Sequence, residues 1–213
     1  MLREQGLRVL TFLHAFRREN CAGIVLGAVN AVGVGGNGPD ASGFDSQRKQ
    51  ELAAAPAATA YRSLEAAAEV FRRQGIRPEI LGDTITGEAR EVGREMARLA
   101  RRTKGPAALI SGGECTVTVK GEGGRGGRCC EFLLSLGIET GGIWAIAADT
   151  DGIDGTEDNA GAILTPESMK RGQDGEAFLA RHDSYGFFSA LGDLVVTGPT
   201  RTNVNDYRAI LVG

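Results

Sequence analysis

Three stretches of this 213-residue chain bring together residue types that could handle an anion. The first is Gly121-Glu-Gly123-Gly124-Arg125-Gly126-Gly127-Arg128, predicted as a glycine turn leading into a helix start. Amides at a helix amino end lack intrahelical partners, and glycines let a phosphate approach them. Arg125 and Arg128 would add directional, charge-assisted contacts. A flexible turn with two solvated arginines is an equally open reading of the same residues. Gly121, Gly123 and Gly126 also spell G-x-G-x-x-G, with Asp149 later at a strand end, which matches a dinucleotide fingerprint. Two features oppose that match. Thr and Val alternate before the loop, whereas a central parallel strand is apolar on both faces, and Asp149 belongs to a larger acidic cluster. A nucleotide-phosphate loop outside a Rossmann fold fits better. No G-x-x-x-x-G-K-[ST] occurs, so this is not a P-loop.

The second stretch runs from Asp149 through Asp151, Asp154, Glu157 and Asp158 to Gly161, after an apolar run. Hard oxygen ligands at the carboxyl end of a strand suit Mg²⁺. A calcium loop is excluded, because Ile153 and Asp154 fall on its fifth and sixth positions. Aspartates capping a solvated turn are the competing account. The third stretch, Thr197-Gly-Pro-Thr200-Arg-Thr-Asn203-Val-Asn205-Asp206, carries short donors and acceptors that suit a hydroxyl-rich substrate or a phosphate, or form an Asx-rich turn. His182 is read as a surface histidine at a helix start. Its neighbours Asp183 and Ser184 point away from it and cannot form a triad.

Alternating elements must hold these loops. Leu64, Ala67, Ala68 and Phe71 make one helical stripe that stops at Gly75, and Pro78 to Leu81 is a short strand. Ala89, Val92, Met96, Leu99 and Ala100 trace a second helix, acidic early and basic late as the helix dipole prefers. Ala107 to Ser111 and Ile143 to Ala148 are predicted as buried strands, and Cys115 to Lys120 as a half-buried one. A helix follows from Arg128 to about Leu136. Another, capped by Asp183 or Ser184, ends at Gly192. Leu194 to Thr197 and Ala209 to Val212 close the chain as strands. The expected fold is a layered α/β sheet with flanking helices.

Composition narrows the classes further. The net charge of −3 gives no reason to expect nucleic-acid binding, so an anion site must be built locally. Cys21, Cys115, Cys129 and Cys130 form no C-x-x-C pair and fit reduced thiols in a cytoplasmic protein. Leu7 to Phe16, interrupted by Arg8 and His14, is too short and charged for a membrane span. Residues 1–60, with a possible helix at Leu2 to Arg18 and a loose tract at Pro39 to Ala58, are expected to be atypical and poorly ordered. The packed unit is expected at 61–213.

Leu81-Gly-Asp, Gly87-Glu-Ala-Arg-Glu91 and Ser111-Gly-Gly-Glu114-Cys-Thr-Val-Thr-Val119 resemble the carboxy-terminal part of MOFRL-type glycerate 2-kinases. So do Gly126-Gly-Arg-Cys-Cys-Glu131, Asp151-Gly-Ile-Asp-Gly155, Asp183-Ser-Tyr185, Leu191-Gly-Asp-Leu-Val-Val-Thr-Gly-Pro-Thr200 and Thr202-Asn-Val-Asn-Asp206, in that order. The resemblance implies a two-domain enzyme that moves the γ-phosphoryl of ATP to the 2-hydroxyl of D-glycerate with Mg²⁺. It implies Arg128 and Asp151 as catalytic residues, and Asp151 and Asp154 as metal ligands. Gly113, Glu114, Gly123, Gly124, Gly126, Gly127, Glu131, Thr200, Asn203 and Asn205 would contact substrate or nucleotide. If the chain binds phosphate, Arg128→Ala is expected to abolish most of that binding and leave the fold intact.

Three departures from the family pattern stand out. Cys129-Cys130 replaces an Asn-Gln beside Arg128, and Arg201 replaces a glycine. No part of residues 1–55 resembles the amino-terminal domain, and Lys49 lacks the context of its catalytic lysine. The expectation is a chain that does not complete the kinase reaction alone, with a separate amino-terminal kinase domain or a second copy as partner. Some family members are called hydroxypyruvate reductases, so an NAD(P)-dependent reductase is one rival and a non-enzymatic binding remnant another.

Overall fold

A computed structural model describes residues 60–213, apart from 120, 122, 173, 201 and 202. The readings made for residues 1–59 and for Arg201 lie outside the described residues. Helix α1 (Ala60–Arg73) buries Leu64, Ala67, Ala68 and Phe71, the stripe read from sequence. The chain turns at Gly75 (φ 73°) into β1 (Arg77–Gly82). The two-residue β2 (Gly87–Glu88) leads into α2 (Ala89–Arg102), then β3 (Ala107–Gly113) and the two-residue β4 (Cys115–Thr116). After the glycine loop come α3 (Arg128–Thr140), β5 (Trp144–Asp149), β6 (Gly161–Leu164), and the short helices α4 (Ser168–Arg171) and α5 (Gly175–Ala180). Helix α6 (Ser184–Leu191), β7 (Leu194–Val195) and β8 (Asp206–Val212) finish the chain.

Six strands pair in the order β1-β3-β8-β5-β6-β7. Only β1 and β3 are parallel, and the other neighbours run antiparallel. Alternate residues face opposite sides of a strand. Ala108, Ile110, Ile146, Ala148, Ala209 and Leu211 therefore cluster with α1. Leu109, Ala145, Ala147, Ile210 and Val212 cluster with α2, α3, α5 and α6. By the same parity, Asp149, Asp206 and Arg208 lie on the α3 side.

The layered α/β class matches the expectation, but several elements differ from it. The strand expected over Cys115 to Lys120 is two residues long and pairs with β2 outside the main sheet. Beyond it, the Thr118 amide and hydroxyl donate to the Glu88 carboxylate, which takes the place of a neighbouring strand, and Val119 is exposed. The strand expected over Leu194 to Thr197 ends at Val195. Strand β6 and helices α4 and α5 were not anticipated. They are too short to show a period, and β6 follows the acidic turn directly.

Candidate functional site

Strands β3 and β5 run the same way on either side of antiparallel β8. Their carboxyl ends and the amino end of β8 therefore emerge at one edge, where Gly113, Asp206 and Asp149 stand side by side in register. The Asp206 and Asp149 side chains are 0% and 2% exposed, so their charges need a cation between them. Arg128, the first residue of α3, supplies it. Its Nε donates to Asp206 Oδ1 at 2.8 Å and its Nη2 to Asp149 Oδ2. Arg208 Nη2 donates to the other Asp206 oxygen at 2.6 Å. Burial works against the charge on Arg128, yet Asp206 and then Asp149 hold its pKa above the ordinary value. Exposed Glu114 stands 3.8 Å from Nη2. Among the described residues, Arg128 Nη1 has no protein partner. Among the described residues, the guanidinium is thus held through Nε and Nη2.

Two further loops are fastened to this edge by Thr150. Its hydroxyl donates to the Asn205 carbonyl at 2.7 Å and accepts the Val204 amide at 2.9 Å. The Thr200 amide donates to the Asp151 carbonyl at 2.9 Å, and Asn203 Oδ1 accepts the Asn205 amide in an Asx turn. The structure therefore brings Gly113, Glu114, Arg128, Asp151, Thr200, Asn203 and Asn205 to one rim. Gly152 (φ 98°) is required there, because a Cβ would meet the Gly198 carbonyl oxygen at 2.1 Å. Gly152→Ala is expected to cost roughly 1–3 kcal/mol from backbone strain, with the clash added. An unchanged urea midpoint for this variant would mean that the loops do not touch.

Several expected ligands are occupied within the protein. Asp154 is fully buried, and its two oxygens accept the Cys129 and Cys130 amides, each at 2.9 Å. The anion at the α3 amino terminus is therefore the chain's own carboxylate, lodged where a phosphate was expected. A Cβ at Gly127 would stand 2.2 Å from the Asp154 carboxyl carbon, so this glycine lets the cap close. Burial pushes the Asp154 pKa up against the two amides, which lower it. The expected Asp151–Asp154 pair does not fit Mg²⁺, since Asp154 is sealed with both oxygens engaged. Half-buried Asp151 accepts the Ile153 amide through Oδ1. Among the described residues, no three His, Cys, Asp or Glu side chains gather as a metal site.

The glycine loop lies against the α5–α6 junction. A Cβ at Gly124 or Gly126 would strike Asp183 or Ser184, and one at Gly123 would strike Val119. Arg125 stacks on the Tyr185 ring at 4.5 Å. Glu131, expected to touch ligand, is 1% exposed, and Arg90 and His182 engage its oxygens instead. His182 is not on the surface. A positive φ of 54° turns its ring inward, to 3.0 Å from Glu131 Oε2 and 2.8 Å from Arg90 Nη2. The Cys129 and Cys130 side chains point into the core and cannot alter contacts beside Arg128. Burial raises both thiols well above their ordinary pKa, and with Cys115 they are free and buried.

Burial pushes the Asp149 pKa up to about 7, against the Asp151 amide and Arg128, which lower it. Its folded pKa lies above the unfolded value of about 3.9, so its contribution to stability is greatest below pH 4 and is lost as pH rises to 7. Asp149→Asn is expected to lack that decline and to gain on wild type between pH 4 and pH 7 in urea denaturation. Parallel curves would refute the raised pKa.

In the sequence, Asp206 stands out only as the last residue of the third stretch, Asp149 as the first of the acidic cluster, and Arg208 belongs to none of the three stretches. The available signal was Arg208 inside the otherwise apolar run Tyr207 to Val212, because a buried arginine requires a carboxylate within reach.

A family model described as "MOFRL family" matches residues 107–206. A protein from Agrobacterium vitis named "Putative hydroxypyruvate reductase" is 56% identical over 166 residues, which cover 71% of this chain and 38% of that protein. The glycerate 2-kinase of Pyrococcus horikoshii is 39% identical over 156 residues, covering 67% of this chain and 36% of that protein. The crystal structure of glycerate kinase from Thermotoga maritima superposes with a TM-score of 0.67 at 32% identity, covering 80% of this chain and 47% of that one. The chain thus spans about two fifths of the length of the curated relatives it matches.

Proposed function

From the match of residues 107–206 to the MOFRL family model, we propose that this chain is the carboxy-terminal part of a glycerate 2-kinase. Its substrates would be D-glycerate and ATP, the latter with Mg²⁺, and the 2-hydroxyl would receive the γ-phosphoryl. The observation that carries this proposal is Arg128, held by Asp206 through Nε and by Asp149 through Nη2, with Nη1 making no hydrogen bond among the described residues. Phosphoryl transfer depends mainly on positioning and on neutralising charge at the transferring group. A fixed guanidinium contributes to both. Asp151 and Asn203 on the same rim offer acceptors and donors for a hydroxylated acid, and the Thr200 hydroxyl donates to the Thr150 carbonyl beside them. The opposite wall of the cleft would come from an amino-terminal kinase domain or a second copy.

No helix among the described residues is long and apolar enough to cross a membrane. The buried free thiols agree with a cytoplasmic setting. The relatives named as hydroxypyruvate reductases favour a second reading, an NAD(P)-dependent reductase. It is the weaker one, because Asp154 takes the α3 amides that a cofactor pyrophosphate would need.

The test is a coupled assay with ATP, Mg²⁺ and D-glycerate, on the chain alone and with the amino-terminal domain of a relative added. It is paired with an NADH fluorescence titration. ADP release that depends on D-glycerate in either mixture supports the kinase. NADH binding at micromolar concentration without ADP release would replace the kinase with the reductase.

A further inference from the structure

We propose that Asp206, backed by Arg208, is the positioning residue that aims Arg128 at an incoming phosphate. This rests on the phosphate-handling role given to Arg128 above. Asp206 opens β8 between Gly113 and Asp149, and its side chain is fully buried. Each of its carboxylate oxygens receives one arginine, Oδ1 from Arg128 Nε and Oδ2 from Arg208 Nη2. Arg208 lies two residues along the same strand face and is 1% exposed. It sits 5.3 Å over the Phe132 ring, and Phe132 stands one helical turn beyond Arg128. Helix spacing on α3 and strand spacing on β8 thus form a two-by-two lattice of Arg128 over Asp206 and Phe132 over Arg208. Neither side chain of β8 reaches solvent or the rim, so neither contacts ligand, and both act through Arg128.

Charge explains why one arginine is not enough. With Asp149 and Asp206 both ionised, Arg128 alone would leave the cluster net negative and repel an anion. Arg208 balances Asp206 from behind, which lessens the negative charge that Arg128 must offset against Asp149 and against exposed Glu114, 3.8 Å from its Nη2. The Nε hydrogen bond fixes the plane of the fork, which a bidentate phosphate contact requires.

The test uses the full chain labelled with ¹⁵N, with the Arg128 Nε–H signal assigned by its loss in Arg128→Lys. In wild type that proton is expected to exchange slowly and to show an ordered backbone-like heteronuclear NOE. In Asp206→Asn, with far-UV circular dichroism unchanged, the signal should broaden or exchange fast, and ATP affinity should fall at least tenfold. If Asp206→Asn does not fold, Asp206→Glu keeps the charge while shifting the carboxylate by a methylene, and the same loss is expected. An Arg128 Nε–H signal that stays protected in the folded variant overturns the positioning role, whatever ATP does. A signal that is lost in the variant, with no ATP binding by wild type, upholds the positioning role and removes the phosphate role of Arg128.

Discussion

Arg128→Ala is expected both to weaken ATP binding about ten- to a hundredfold and to destabilise the fold. The binding loss follows from removing one charge-assisted contact, about 1.5–3 kcal/mol. The stability loss is what the structure adds. Removing the arginine leaves Asp149 facing Asp206 in register, both shielded from water, with only Arg208 to balance them. Breaking a buried ion pair by deleting one partner costs roughly 3–5 kcal/mol. The buried pairs of Arg128 with Asp206 and Asp149 thus replace the expectation, made for a phosphate-binding arginine at the helix start, that the fold would stay intact.

The loss also depends on pH in a fixed direction. Below about pH 4, Asp149 is protonated in both the folded and unfolded states, and deleting its counter-ion costs little. As pH rises towards and past 7, the unfolded chain ionises Asp149 freely, while the folded variant must bury a bare carboxylate or retain a proton. The gap between variant and wild type should be widest above pH 7. Urea midpoints at pH 5 and pH 8, with calorimetric titration of ATP–Mg²⁺ under conditions where both proteins are folded, decide the matter. Equal midpoints and equal dissociation constants would leave Arg128 as ordinary surface charge.

What the sequence made legible, and what it hid, follows from the range of the physics involved. Local periodicity and capping are short-range, so α1, α2 and the Asp183–Gly192 limits of α6 were readable. Glu114, Arg128, Asp151 and Thr200 are named together as site residues by the family resemblance alone, and it is the register of β3, β8 and β5 that brings their loops to one edge. The cause is an antiparallel β8 whose first residue meets the last residues of its two neighbours. Asp206 was hidden because it looked like one more member of an Asx-rich turn. Asp154 was misread for a different reason. Nothing local distinguishes an aspartate that binds a metal from one that caps a helix lying across β5, since only tertiary packing makes the contact.

That cap leads to the second large effect. In Asp154→Ala, the Cys129 and Cys130 amides would lose a carboxylate in a fully buried setting. Each charged hydrogen bond contributes roughly 1.5–3 kcal/mol, and unsatisfied buried donors cost more than exposed ones. A loss of about 3 kcal/mol or more is expected. The variant should also gain a property that wild type lacks. Its empty helix terminus, lined by Gly127 and two unpaired amides, becomes a site for a small oxyanion. Sulfate at about a hundred times its dissociation constant would restore about 2.7 kcal/mol by mass action. Sulfate also stabilises proteins generally through exclusion from their surfaces, so the decisive quantity is the excess over wild type. Asp154→Leu, which fills the space without an anion site, should show no excess. If sulfate raises the melting temperature of all three proteins equally, the terminus is not an anion hole and Asp154 is not its occupant. If the excess belongs to Asp154→Ala alone, the glycine loop binds an anion as its sequence suggested, and in the native chain that anion is the carboxylate of Asp154.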